Sequence, residues 1–200
     1  MITSAGRALR TREDQGRAAR DELCLRNRQG NRSVNLQLLE EIARHLLKRC
    51  SSHGHIELGI HLVAAPEMTR LNEQFLHHAG STDVITFDYA GHAAQAPPPT
   101  RPVAKVRAAD RADAGPALWG EIFICLDEAV AQARRFRTTW QSEVTRYLVH
   151  GLLHLHGYDD GHPAARLRMK REENRLLRDV SRRFALERLA RNPRTASRRL

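Results

Sequence analysis

His150-Gly151-Leu152-Leu153-His154-Leu155-His156-Gly157-Tyr158-Asp159-Asp160-Gly161-His162 is the stretch from which this 200-residue chain is best read. His150 and His154 stand four apart, so a helix stacks both imidazoles on one face, a turn apart. Two imidazoles placed that way can share one metal ion, as in the HExxH zinc helix. Leu148, Leu152, Leu153 and Leu155 alternate with them, so the helix is largely apolar and buried. Buried imidazoles need partners. Gly157-Tyr158 ends the helix, and Asp159, Asp160 and His162 follow at once; each can fold back as a third ligand. Three protein ligands with one position left for water is the layout of a catalytic zinc. Where HExxH carries its Glu base, this chain has Gly151, which disfavours a metallopeptidase. A helix-interior Gly costs about 1 kcal/mol against Ala, so something must approach this backbone closely.

Outward from that helix, the patterns predict one domain. Glu22–Gln29 fits a short strand, and Asn35 caps a helix through Lys48 with Leu36, Leu39, Ile42, Ala43, Leu46 and Leu47 on one face. His55–Val63 alternates as a second strand, and Pro66 opens a helix through about His77. Asp83–Tyr89 and Glu121–Cys125 are the third and fourth strands. Asp127 is expected to cap a helix over 128–136, the histidine helix starts near Trp140, and a last helix runs from Pro163 to about Ala190. The sum is an α+β single domain: a small four-stranded mixed sheet packed with about five helices, the metal site at the end of a long one. Residues 1–20 are expected to be a disordered basic lead, 91–117 a flexible Pro/Ala-rich excursion, and 191–200 a frayed basic tail.

The formal charge of +10 is unevenly placed. Residues 163–200 hold 13 Arg or Lys against 4 Asp or Glu, and residues 1–30 hold 7 against 4, whereas 31–162 hold 13 against 15. Basic ends beside a near-neutral core suggest a polyanionic partner, nucleic acid first. No run of about 18 apolar residues exists, so no membrane-spanning helix is expected. Cys24, Cys50 and Cys125 form no CxxC pair, which fits a reduced cytoplasmic compartment.

The run from His150 to Asp159 resembles the HGxLHLxGYDH signature of the YbeY family, bacterial endoribonucleases and rRNA maturation factors. Leu71-Asn72 with Phe75, then Ser81-Thr82-Asp83-Val84-Ile85-Thr86-Phe87, resembles that family's asparagine-led helix and PTDVLSF-like strand. Gly120-Glu121-Ile122, followed by Ala129 and Gln132-Ala133, resembles its GDI strand and next helix. The resemblance spans about residues 22–180 and marks 21–190 as the YbeY-like domain. It implies a zinc-dependent, single-strand-specific endoribonuclease acting in small-subunit rRNA 3′-end maturation and ribosome quality control. Implied partners are rRNA and the small ribosomal subunit with its proteins or assembly GTPases, with no membrane. Two positions depart from the pattern. The family's third ligand is a His after Tyr-Asp; here Asp160 stands there, with His162 two further on. The spacing to Met169 favours Asp160, giving His150, His154 and Asp160 as the zinc set. Many members carry an Arg after the Phe, where this chain has Leu76.

The expected chemistry is metal-assisted phosphodiester hydrolysis, with Glu121, Asp83 or Asp159 as candidate proton carriers. The alternative is an rRNA-binding assembly factor whose metal is largely structural. Trp119 and Trp140 are expected to pack in the core or at its rim, and His156 to stay off the metal.

Overall fold

The computed structural model describes residues 21–50, 55–90 and 118–190. The expected basic lead, Pro/Ala-rich excursion and basic tail lie outside them. Among these residues four strands, β1 (Glu22–Asn27), β2 (Ile56–Val63), β3 (Val84–Asp88) and β4 (Leu118–Cys125), form one sheet in the order β1-β2-β4-β3. β1, β2 and β4 are parallel, and the edge strand β3 runs antiparallel to β4. The helices are α1 (Leu36–Cys50), α2 (Ala65–Leu71), α3 (Leu126–Phe136), α4 (Trp140–Leu155) and α5 (Pro163–Arg183). The mixed sheet and five helices are the α+β architecture the sequence predicts.

Side-chain alternation gives the sheet two different faces. Ile56, Leu58, Ile60 and Leu62 of β2, with Leu118, Ile122 and Ile124 of β4, join α1, α4 and α5 in the main core. Glu57, Gly59 and His61 of β2, with Trp119 and Glu121 of β4, line a groove on the other face. α1 forms where its apolar stripe predicts; Asn35 caps it, Oδ1 accepting the Leu38 N–H at 3.2 Å. α4 is capped by Thr139, whose Oγ1 accepts the Ser142 N–H at 3.2 Å, and it is buried along most of its length. A Cβ on Gly151 would sit 2.8 Å from Ile122 Cγ2 of β4 and 3.1 Å from Thr86 Cγ2 of β3. The helix glycine therefore has a structural reason: α4 lies directly on the sheet.

Several boundaries shift by one or two residues from the sequence-based expectation, and four differences have an identifiable tertiary cause. β4 begins at Leu118, because Leu118-Trp119-Gly120 pairs with Ile56-Glu57-Leu58, a partner the local pattern cannot reveal. The helix expected through His77 stops at Leu71 and continues as a single π-helical turn, Asn72–Leu76, with His77 in the left-handed region at φ 57°. Asn72 is buried and donates through Nδ2 to Gly80 O at 2.9 Å, closing that turn. Asp127 caps nothing, since α3 starts at Leu126; its Oδ2 accepts the Ala65 N–H at 2.8 Å and its Oδ1 the Asn31 Nδ2–H at 3.2 Å. The last helix ends at Arg183 and is followed by a short 3-10 turn, Leu186–Leu189, because the chain there pairs with the start of α1. Asn35 N–H donates to Leu189 O at 2.8 Å, beside a Val34–Ala190 bridge.

Candidate metal centre

The geometry begins with how α4 ends. Gly157 takes φ 79°, a left-handed conformation that glycine adopts without steric cost. Gly157 N–H donates to His154 O at 2.9 Å and Tyr158 N–H to Leu153 O at 3.0 Å, the paired bonds of a Schellman motif. The chain thereby reverses over the last turn of α4. Asp159 Oδ1 accepts the Gly161 N–H at 2.9 Å, and Arg166 Nε donates to Asp160 O at 3.0 Å. These bonds hold the Asp159-Asp160 loop between α4 and the first turn of α5.

His150, His154 and Asp160 each bring one donor atom into a group whose atoms all lie within 4.8 Å of one another. The two Nε2 atoms are 3.1 Å apart, and Asp160 Oδ2 is 3.9 Å from His150 Nε2. The other ring nitrogens are engaged. His154 Nδ1 donates to the Tyr158 carbonyl at 3.1 Å, and His150 Nδ1 to Glu173 Oε2 at 3.3 Å. Both acceptors are pure acceptors, so each Nδ1 carries the proton and each Nε2 presents a lone pair. Two lone pairs facing each other repel, unless a cation lies between them. Two zinc–imidazole bonds at a tetrahedral angle place their nitrogens about 3.3 Å apart, close to the observed separation. The residues present therefore fit a metal ion. Burial, and then the neighbouring His150, lower the pKa of His154, which favours the neutral, ligating imidazole.

Glu173 of α5 is the residue that sequence reasoning missed. It is 4% exposed and accepts from His150, from Arg146 Nη1 at 2.9 Å and from Lys170 Nζ at 2.7 Å. Burial alone would raise its pKa; the hydrogen bonds from His150, Lys170 and Arg146, with the Lys170 charge, outweigh it and hold the pKa at about 2. A signal for it existed. Met169, Glu173, Leu176 and Val180 share one helical face, and a charged residue on a buried stripe demands partners.

The other expected residues are scattered. His162 is exposed at the N-cap of α5 and stands outside the three-donor group. His156 donates through Nδ1 to Leu152 O at 2.7 Å. Asp83 Oδ1 accepts from Val84 N–H at 2.9 Å and from the Thr82 hydroxyl at 3.1 Å, a turn carboxylate at the start of β3. Glu121 does not reach the histidine pair. It projects from the face of β4 opposite α4, where it accepts from the Tyr89 hydroxyl at 2.8 Å and meets His61 Nε2 at 3.0 Å. Asp159 alone of the three proton-carrier candidates lies beside the site, close enough for its charge to act on His154. Trp140 packs against the core as expected, whereas Trp119 is 46% exposed, edge-on to Tyr89 at 5.4 Å between ring centroids. Leu76 is exposed at the end of the π-helical turn.

The Endoribonuclease YbeY family profile matches residues 24–181. The Endoribonuclease YbeY of Salinibacter ruber is 29% identical over 150 residues, which cover 75% of this chain and 86% of that protein. That of Beutenbergia cavernae is 30% identical over 150 residues, covering 74% and 85%, and that of Saccharopolyspora erythraea is 35% identical over 138 residues, 69% of each. The solution structure of TM1509 from Thermotoga maritima matches with a TM-score of 0.50 at 22% identity, covering 83% of this chain and 95% of that one, and shares the fold. A profile match over most of the chain, together with these relatives, shows that the chain belongs to the endoribonuclease YbeY family.

Proposed function

We propose that this chain is a zinc-dependent endoribonuclease that cleaves single-stranded RNA and matures the 3′ end of small-subunit rRNA, with a role in ribosome quality control. The observation that carries the proposal is the pair of Nε2 lone pairs 3.1 Å apart, with Asp160 beside them and both Nδ1 atoms already committed. His150, His154 and Asp160 would hold the ion. When bound, zinc would acidify a water or polarise a phosphoryl oxygen. Glu173 fixes the tautomer and plane of His150, and the Tyr158 carbonyl does the same for His154. The Asp160 side chain is about half exposed, so the centre opens to solvent on the side where a phosphodiester could enter. Asp159 is assigned as the proton carrier, since its Oδ1 is used by the turn while Oδ2 has no hydrogen-bond partner among the described residues.

RNA as substrate fits the endoribonuclease family, and the further partners proposed are the small ribosomal subunit with its proteins or assembly GTPases. The proposed compartment is the cytoplasm, supported by three unpaired cysteines. No described helix is long and apolar enough to cross a membrane. A second reading, an rRNA-binding assembly factor with a largely structural metal, is favoured by Leu76, an exposed apolar side chain at the position where many members of the resembled family carry Arg. Cleavage of a defined single-stranded RNA separates the two. The enzyme should cut it, stop on chelation or on His154→Ala, and slow strongly in Asp159→Asn while that variant keeps its metal. RNA binding without metal-dependent cleavage in the wild type would establish the second reading instead.

A further inference from the structure

α5 carries a feature that the metal centre does not use. Arg168, Arg171, Arg175, Arg178 and Arg182 recur every three or four residues, and all five are exposed. At 3.6 residues per turn they fall within an arc of about 80° and extend about 21 Å along the helix. That arc lies opposite the buried stripe of Met169, Glu173, Leu176 and Val180. Among the described residues, the acidic residues of α5 neutralise one member of the row, Arg175. Glu173 is buried against His150, Asp179 is taken by His45 and Arg49 of α1, and Glu172 pairs with Arg175. Arg168, Arg171, Arg178 and Arg182 have no acidic partner among the described residues. Neighbours of like charge at these spacings destabilise a helix, so the row repels itself until an anion covers it.

We infer that this outer face of α5 is a docking surface for an RNA phosphate backbone, separate from the metal centre. The assignment rests on the RNA-directed function proposed above. Guanidinium groups present paired N–H donors that match phosphate oxygens, and their spacing along a rigid rod suits a repeating anion. A membrane surface fits less well. A helix that lies in a bilayer interface inserts an apolar face, and the apolar face of α5 is spent in the core. Leu167 is the one large hydrophobic residue exposed on α5 among the described residues, and it flanks the row rather than interrupting it.

Substitution is the appropriate test, because Val180 and Leu189 are buried and truncation would cut into the core. Anisotropy of a labelled single-stranded RNA across a salt series compares wild type, Arg171→Gln/Arg178→Gln/Arg182→Gln, and a charge-matched control, Arg32→Gln/Arg134→Gln/Arg135→Gln. Losing three phosphate contacts at about 0.7 each lowers the log–log salt slope by about two in the α5 variant, and affinity at moderate salt falls at least tenfold. The control keeps both. Metal content and thermal midpoint of the α5 variant stay at wild-type values or better, since like-charge contacts are removed. If wild type binds RNA with a steep slope and the α5 variant retains it, the docking surface is overturned and the RNA-directed function stands. If wild type binds no RNA at any salt, that function falls, and this surface with it. If the variant keeps RNA binding and loses binding to vesicles of anionic lipid, the face belongs to a membrane and the inference is refuted.

Discussion

His150 and Glu173 meet at 3.3 Å between α4 and α5; His61 and Glu121 meet at 3.0 Å on the open face of the sheet. The residue types are the same and the consequences differ. Glu173 is buried, and two further cations converge on it, which lowers its pKa to about 2 and fixes its geometry. It holds a histidine whose remaining nitrogen faces a second imidazole and a carboxylate. Glu121 is about a third exposed, and its second oxygen is taken by Tyr89. It holds a histidine stacked on Phe123 at 4.6 Å between centroids, whose remaining nitrogen is buried without a partner among the described residues. A His–Glu pair is therefore not in itself a sign of a metal site. What the other ring nitrogen faces decides.

The largest effect that tests this contrast is loss of the ion. His150→Ala or His154→Ala should reduce metal from about one equivalent per chain to none by elemental analysis, while His61→Ala keeps it. Asp160→Ala should also lose metal and His162→Ala retain it; Asp160→His should bind more tightly in a competition titration, because imidazole suits zinc. Metal retained in both histidine variants would remove the site altogether.

The next effect is on affinity. Glu173→Gln should weaken metal binding about 10- to 100-fold, because His150 loses the carboxylate that orients it and raises its basicity. Glu121→Gln should leave affinity unchanged. Equal losses in the two variants would erase the distinction between the two pairs.

Packing separates the two faces next. Gly151→Ala forces a methyl against Ile122 and Thr86, an overpacking cost of about 1–3 kcal/mol. The gain in helix propensity, about 1 kcal/mol, offsets only part of it. Gly59→Ala meets His61 Nε2 at 3.0 Å and Glu121 Cγ at 3.1 Å, and the partly exposed Glu121 can yield. Chemical denaturation should therefore rank Gly151→Ala as the more damaging change.

The smallest effect is titration on the open face. Partial burial first, then the hydrogen bond to Glu121 and its charge, push Tyr89 up to about 12. A raised pKa keeps the phenol protonated in the folded protein. Its contribution to stability is thus complete below the unfolded value, near 10, and fades as pH climbs toward 12. Phenolate absorbance should show that late step, and Glu121→Gln should bring it down, with no change at the metal centre.

The sequence by itself determined what periodicity and spacing encode within one element. The stripe of α1 with its Asn35 cap, the alternation of β2, the paired imidazoles of α4 and the glycine turn at Gly157 all follow from neighbours a few residues away. The demand for a close neighbour at Gly151 was legible too, though not that Ile122 and Thr86 would supply it. Only the tertiary structure decided the rest. Strand alternation says that Glu121 and Ile122 face opposite ways, but not which face α4 will cover, so Glu121 read as a candidate for the site it lies behind. The start of β4 at Leu118 depends on pairing with β2, some sixty residues earlier. Glu173 reaches His150 only because α5 folds back along α4. Spacing along a chain fixes which side chains share a face; which faces meet is set by burying the apolar ones together, and that is a property of the whole fold.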